Sequence, residues 1–482
     1  MSSSRAKIKV LSPANSSYNF EQGLLEGIRK GLDEPVSPFG SPLSSLTSSA
    51  VSSRSASPTA PVSTSTTPSA APEQYPAPKE EVTLTRKQKL KIRNKEKSKR
   101  RREKDRLAST EHSVKPNRAA KHLKNTGKVS ATFEGETFPI SKKGWISRRS
   151  KGSRSSVSLA DVVGPNSKYN LELRKWNGRT TMVIVDRKRR IIAVCLGKPE
   201  NDETWEDTHR RAAEVLESAR DRLYFQDKDL NHRRGGFPAL AVGISHGGGQ
   251  KYPKVLDQDK RNEEVFEEIL ENKAFQRISG FTSGAFAEWA PRLYEYENKC
   301  LSDIIEHDET IRRENRHPRP EEKELRRNWP RTPWAATTFN FGPKTVCRRH
   351  LDFNNLAFGW CGITALGNYD PTKGGHLILW QLGLVIEFPP GTTILIPSAA
   401  IEHSNVRIRG NERRYSVTQY SSGGIFRYVH NGFKTVDSRM GELDSDELAD
   451  HLDELSRQLE FGLSLYSDVA ELEKARGVSF KE

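Results

Sequence analysis

Between residues 335 and 428 the chain is cut into short stretches rich in β-branched and aromatic residues: AATTFNF, LAFGWCGITALG, HLILWQL, LVIEFP, TTILIP, SNVRI, RYSVTQYS and IFRYV. Gly374-Gly375, Gly383, Pro389-Pro390-Gly391 and Gly410 stand at the corners between them. Many short strands at this spacing close into a sandwich, barrel or jelly roll. Upstream, 180–186 and 191–196 flank the polar Arg187-Lys188-Arg189-Arg190, which is a hairpin signature. Residues 203–224, 262–272 and 286–305 repeat apolar side chains at three and four, as helices do, and 438–474 repeats Leu443, Leu448, Leu452, Leu455 and Leu459 in the same way. The expected class is therefore α+β, a double-stranded β-helix (jelly-roll, cupin-like) core at 335–430 flanked by helices. The run Gly247-Gly248-Gly249 lacks the Lys-Ser/Thr pair of a phosphate cradle and reads as a flexible loop.

Within that core, His350-Leu351-Asp352 sets an imidazole and a carboxylate two residues apart, which on extended backbone sends both to one face. His403 follows the strand-like 393–396 and supplies a second imidazole at the same end of the barrel. Two histidines and one carboxylate form the facial triad of non-haem Fe(II) oxygenases, which leaves positions open for a co-substrate and O2. The strand Arg414-Tyr415-Ser416-Val417-Thr418 alternates, placing Arg414, Ser416 and Thr418 on one face. A polar face inside a barrel is costly unless it binds something polar, and a guanidinium takes a carboxylate through two hydrogen bonds. Arg414 with Ser416 is thus the candidate carboxylate grip, and Arg413, one residue out of phase, is the alternative. His376 and His430 read as core or rim residues.

The formal net charge of +16 is concentrated in one place. Residues 83–154 hold 24 Lys and Arg against 6 Asp and Glu, whereas 155–482 holds 47 against 49. The densest part, RKQKLKIRNKEKSKRRREKDR at 86–106, has the character of a phosphate-contacting arm or a nuclear address. Residues 1–82 are crowded with Ser, Pro, Thr and Ala and cannot bury enough apolar surface to order, so they read as a disordered tail. The expected divisions are this tail, a basic arm at 83–154, a catalytic domain at 155–433 and a helical tail at 434–482. Cys195, Cys300, Cys347 and Cys361 form no CxxC pair, which fits reduced thiols inside a cell. The longest apolar run, 377–388, is too short for a membrane span, and none is expected.

The motifs SHGGGQ (245–250), TFNFGP (338–343), HLDFNN (350–355), GGHLILW (374–380), EFPPGTTILIPSAAIEHSN (387–405) and RRYSVTQY (413–420) resemble the TET/JBP branch of 2-oxoglutarate dioxygenases, in particular its expanded fungal members associated with transposable elements. The resemblance covers roughly 168–433. It implies Fe(II) held by His350, Asp352 and His403, 2-oxoglutarate held by Arg414, and a base-contacting amide at Asn355. It also implies DNA as partner, O2 as co-substrate and oxidation of 5-methylcytosine to its hydroxymethyl form or beyond, in the nucleus. The zinc-binding Cys-rich extension and CxxC module of the animal members have no counterpart here. Two other readings stand beside it: a non-catalytic DNA-binding or transposon-accessory protein that keeps the fold, and a protein hydroxylase on the same scaffold.

Overall fold

The computed structural model describes Arg93 and residues 111–482, apart from Lys143, Arg154, Asn201 and Glu482. The tail expected over 1–82, and all of the dense basic run except Arg93, lie outside the described residues. In chain order the strands are β1 (Gly127–Ser130), β2 (Glu172–Arg174), β3 (Met182–Val185), β4 (Ile191–Leu196), β5 (Asn231–His232), β6 (Gly235–Gly236), β7 (Ala239–Ser245) and β8 (Lys254–Val255). There follow β9 (Ala336–Asn340), β10 (Cys361–Asn368), β11 (Leu377–Leu379), β12 (Leu384–Ile386), β13 (Thr393–Ile396), β14 (His403–Asn405) and β15 (Arg413–Tyr420).

One sheet has nine strands in the order β1-β3-β4-β13-β10-β15-β9-β7-β8, and a second has four, β14-β11-β12-β2. The large sheet is antiparallel except where β1 joins β3. β5 and β6 make a separate small hairpin. Side chains alternate across a strand, and the two faces of the large sheet have different partners. Tyr415, Val417, Leu366 and Phe339 pack on Leu216, Phe266 and Phe275 of the helices Trp205–Arg222, Glu263–Glu271 and Lys273–Trp289. Ile363 and Ala365, on the other face, share a core with Leu377, Leu379, Leu384 and Ile386 of the small sheet. The two sheets thus close over a common interior, into which the opposite phase of β15, Arg414 and Ser416, is also buried.

Three expectations are corrected. Residues 425–429 belong to a helix, Gly423–His430, and not to a final strand. A short apolar run fits either period, and here Gly423 and Gly424 decide it. A Cβ on them would lie 2.0 Å from the Trp145 carbonyl oxygen and 2.2 Å from that of His246, so the chain turns into a helix flush against both. The helix expected over 286–305 is two, Lys273–Trp289 and Pro291–Arg313, divided where Pro291 begins the second. Finally, the boundaries at 154 and 434 separate no unit. Within the expected arm, β1 joins the large sheet, and Phe138 and Trp145 are buried in its core. At the other end Leu463, Tyr466, Val469, Leu472 and Phe480 fill the same core. Among the described residues no helix is long and apolar enough to cross a membrane.

Candidate metal centre

His350 and His403 face each other through reciprocal main-chain hydrogen bonds, His350 N to His403 O at 3.1 Å and His403 N to His350 O at 3.0 Å. Asp352 is anchored by its own N–H, which donates to the Ser398 carbonyl at 3.0 Å. Three side chains from two distant segments therefore converge: His350 Nε2 lies 3.6 Å from Asp352 Oδ1, and His403 Nε2 lies 3.7 Å from Asp352 Oδ2. All three are buried, and one ligand atom of each lies within 4.8 Å of the others.

The tautomers follow from the neighbours. Nδ1 of His350 is 2.6 Å from the Arg348 carbonyl oxygen and Nδ1 of His403 is 3.0 Å from that of Ile401. A carbonyl only accepts, so each Nδ1 carries a proton and each Nε2 is the ring nitrogen left facing Asp352. Burial holds the His350 imidazole well below the ordinary histidine range, and His403 beside it adds to this. Burial pushes the Asp352 carboxyl up, but the imidazoles and the guanidinia of Arg234 and Arg233 outweigh it and hold it low. Two imidazoles and one carboxylate converging from two segments suit a borderline divalent ion such as Fe(II), and this donor set fits the facial triad.

Arg414 is 1% exposed. Its Nη1 donates to the Thr345 carbonyl at 2.8 Å, its Nε has no partner, and its guanidinium lies 5.9 Å from the Tyr369 ring centre and 5.8 Å from that of Phe388. Ser416 Oγ accepts from Asn340 Nδ2 at 2.9 Å, while Asn340 Oδ1 and Thr345 Oγ1 are buried without partners. Arg413 is exposed and paired with Glu217. The strand phase therefore puts Arg414 inside and Arg413 outside.

Sequence reasoning missed Arg233 and Arg234, which sit in the β5–β6 turn. Arg234 is 4% exposed with Nε and Nη2 unpartnered. Arg233 Nη2 lies 3.9 Å from Asp352 Oδ1, and its guanidinium is 5.3 Å from the Phe353 ring centre. The thiol of Cys347 is pushed up by burial, and Arg234, Arg414, Asp352 and Arg233 all lie near enough to act on it electrostatically. The only signal in the sequence is the pair of arginines before Gly235-Gly236, a pattern that ordinarily marks a solvated turn.

Asn355 is not free to face a ligand through its amide nitrogen. Nδ2 donates to Cys361 Sγ and Ser398 Oγ, both at 3.3 Å, and those two atoms share a hydrogen bond of 2.8 Å. Asn355 N donates to the Asp352 carbonyl at 2.9 Å, so the residue closes the turn that carries the metal-ligating carboxylate. Losing buried hydrogen bonds of this kind costs about 1–3 kcal/mol. Asn355→Ala is therefore expected to lower substrate oxidation, substrate-free consumption of 2-oxoglutarate and melting temperature together. A loss confined to substrate oxidation would instead restore the base contact that the resemblance implies.

No family model matches the chain, and no curated protein does. Among solved structures it is similar to NgTET1 in complex with 5mC DNA, with 14% identity and a TM-score of 0.34 over 53% of this chain and 84% of that one. It is also similar to an oxidoreductase of the 2OG-Fe(II) oxygenase family from Burkholderia pseudomallei, with 16% identity and a TM-score of 0.24 over 48% of this chain and 84% of that one. At these values neither likeness carries the functional argument, which rests on the residues themselves.

Proposed function

We propose that this chain is an Fe(II)- and 2-oxoglutarate-dependent dioxygenase with a double-stranded β-helix core, acting in the nucleus on methylated bases in DNA, 5-methylcytosine first among them. The observation that carries the reading is the convergence of His350, Asp352 and His403, with the two Nε2 atoms 3.6 and 3.7 Å from the carboxylate oxygens, beside a buried and under-partnered Arg414. A buried guanidinium without a carboxylate is expensive, and an anionic co-substrate supplies what it lacks.

In this reading the triad holds Fe(II), and Arg414 and Ser416 take the distal carboxylate of 2-oxoglutarate. Arg234 lies where it offsets the remaining negative charge. Bound iron supplies the oxidising chemistry by which O2 and 2-oxoglutarate become a C–OH group on the substrate, succinate and CO2. The protein's own part is to fix the ligands through main-chain hydrogen bonds and to keep them buried away from bulk water. A target base must leave the stack to reach it, at a cost of a few kcal/mol.

A specific feature favours nucleic acid over a peptide substrate. Residues 148–151 run along the ligand segment, pinned by Ser147 N to Phe353 O at 2.9 Å and Ser153 N to Arg349 O at 3.0 Å. Arg148, Arg149 and Lys151 are exposed there with Arg348 close by, and none has an ion-pair partner among the described residues. Arg149 sits 5.0 Å from the ring centre of Phe353, next to the ligand Asp352. Elsewhere on the body many surface cations are paired. Unpaired cations gathered along one segment beside the site match a polyanion.

The decisive experiment incubates the purified protein with Fe(II), 2-oxoglutarate and either methylated DNA or peptides, and follows succinate and oxidised bases by mass spectrometry. Succinate formed with peptide alone would move the substrate to protein, and none with either would leave a binding protein. Replacing Arg149 and Lys151 by Gln removes two phosphate contacts, so the slope of log affinity against log salt should fall by roughly 2. An unchanged slope would remove this rim from the DNA interface.

A further inference from the structure

We propose that His430, His451 and Glu454 form a second metal site, separate from the triad, for a zinc-class divalent cation that fastens the C-terminal helices to the body. His430 is the last residue of the helix Gly423–His430, and His451 and Glu454 lie three apart on the helix Ser445–Ser456. Residues at that spacing share one helix face. One ligand atom from each of the three lies within 4.8 Å of the others. His430 Nε2 and Glu454 Oε2 are 3.5 Å apart, and the two imidazole centres 5.7 Å apart. Bond lengths of about 2.0–2.2 Å to a tetrahedral ion put neighbouring ligand atoms roughly 3.3 Å apart, so a modest closing movement completes the geometry. Glu454, whose side chain is 58% exposed, has the freedom to make it.

Two further observations point to a ligand here. No Lys or Arg is ion-paired with Glu454 among the described residues, and its neighbour Asp453 takes Arg457 instead. The helix Ser445–Ser456 fully buries only Leu448 and His451, with Leu455 packed part-buried against the core. The one buried polar group on it is the His451 imidazole, which lies tilted by 30° beside that of His430, itself seated 5.0 Å from the Trp145 ring centre. Two nitrogens and one carboxylate oxygen suit Zn(II), Co(II) or Ni(II) better than Mg(II) or Ca(II), with water at the fourth position.

The test uses the full chain carrying His350→Ala and His403→Ala, so that the triad does not compete, with zinc as the probe. Equilibrium dialysis should find one zinc per chain, and saturating zinc should raise the melting temperature by about 5 °C. Hydrogen exchange across 445–456 should slow with it. Adding His451→Ala, or the milder pair His430→Asn with Glu454→Gln should folding suffer, is expected to abolish uptake, shift and protection alike. Cobalt should give the intense visible bands of a tetrahedral complex, lost in the same variants. No zinc bound at tenfold excess, or uptake unchanged by these substitutions, would overturn the site.

Discussion

Asp352→Ala or His350→Ala should reduce turnover by at least about a thousandfold, with loss of iron binding at equilibrium dialysis. On the proposed reading three protein ligands would hold the ion, and removal of one would leave two donors where the chemistry needs a fixed facial set. The two variants should differ in stability. His350→Ala removes a neutral ring, and its cost is that of a buried side chain and one hydrogen bond to the Arg348 carbonyl. Asp352→Ala also strips the counter-charge from the buried Arg234 and the half-buried Arg233. Leaving a buried charge uncompensated costs about 3–5 kcal/mol, so Asp352→Ala should melt well below His350→Ala. Asp352→Asn, which keeps the shape and loses the charge, separates the two effects. A variant of either residue that keeps more than a hundredth of wild-type turnover would remove the metal assignment.

Arg414→Met carries the second large effect, and its two parts have opposite signs. The side chain is almost fully buried with an unpartnered Nε and with Tyr369 and Phe388 alongside. Replacing a buried, poorly compensated charge by an apolar side chain of similar length is often neutral or stabilising by about 1–4 kcal/mol. The co-substrate-free variant should therefore melt at or above the wild type. Its affinity for 2-oxoglutarate should fall by roughly a hundredfold or more, since losing one partner of a buried, hydrogen-bonded charge pair costs about 2–5 kcal/mol. Thermal shift with and without 2-oxoglutarate under anaerobic conditions reads both at once. Arg414→Lys should keep part of the charge and lose the forked contact. If 2-oxoglutarate stabilises Arg414→Met as strongly as the wild type, the carboxylate grip lies elsewhere.

The inward phase of β15 was readable from the sequence because alternation on a strand is a strict period of two, and a one-residue error would have exchanged Arg414 for Arg413. The pairing of His350 with His403 was readable only as chemistry. The main-chain bonds that join them depend on how the sheets close, and no local pattern carries that. Arg233 and Arg234 escaped because charge beside Gly-Gly suggests a solvated turn, whereas here the turn is folded inwards over Cys347 and Asp352. The arm misled for a related reason: abundant Lys and Arg hid Phe138 and Trp145, and a few large apolar side chains suffice to fix a segment to a core. At 425–429 the run was too short to distinguish period two from period 3.6, and the contact that settled it comes from Trp145 and His246, far away in the chain.

The reciprocal main-chain bonds between His350 and His403 set the spacing of the two imidazoles, and the bond from Asp352 N to the Ser398 carbonyl places the carboxylate beside them. Such a clamp tolerates change around it. Substitutions, and even insertions, in the long excursion between the two histidines leave the ligands in register so long as the sheets still close. The separation of the two imidazoles is in this sense set independently of the shape of their surroundings.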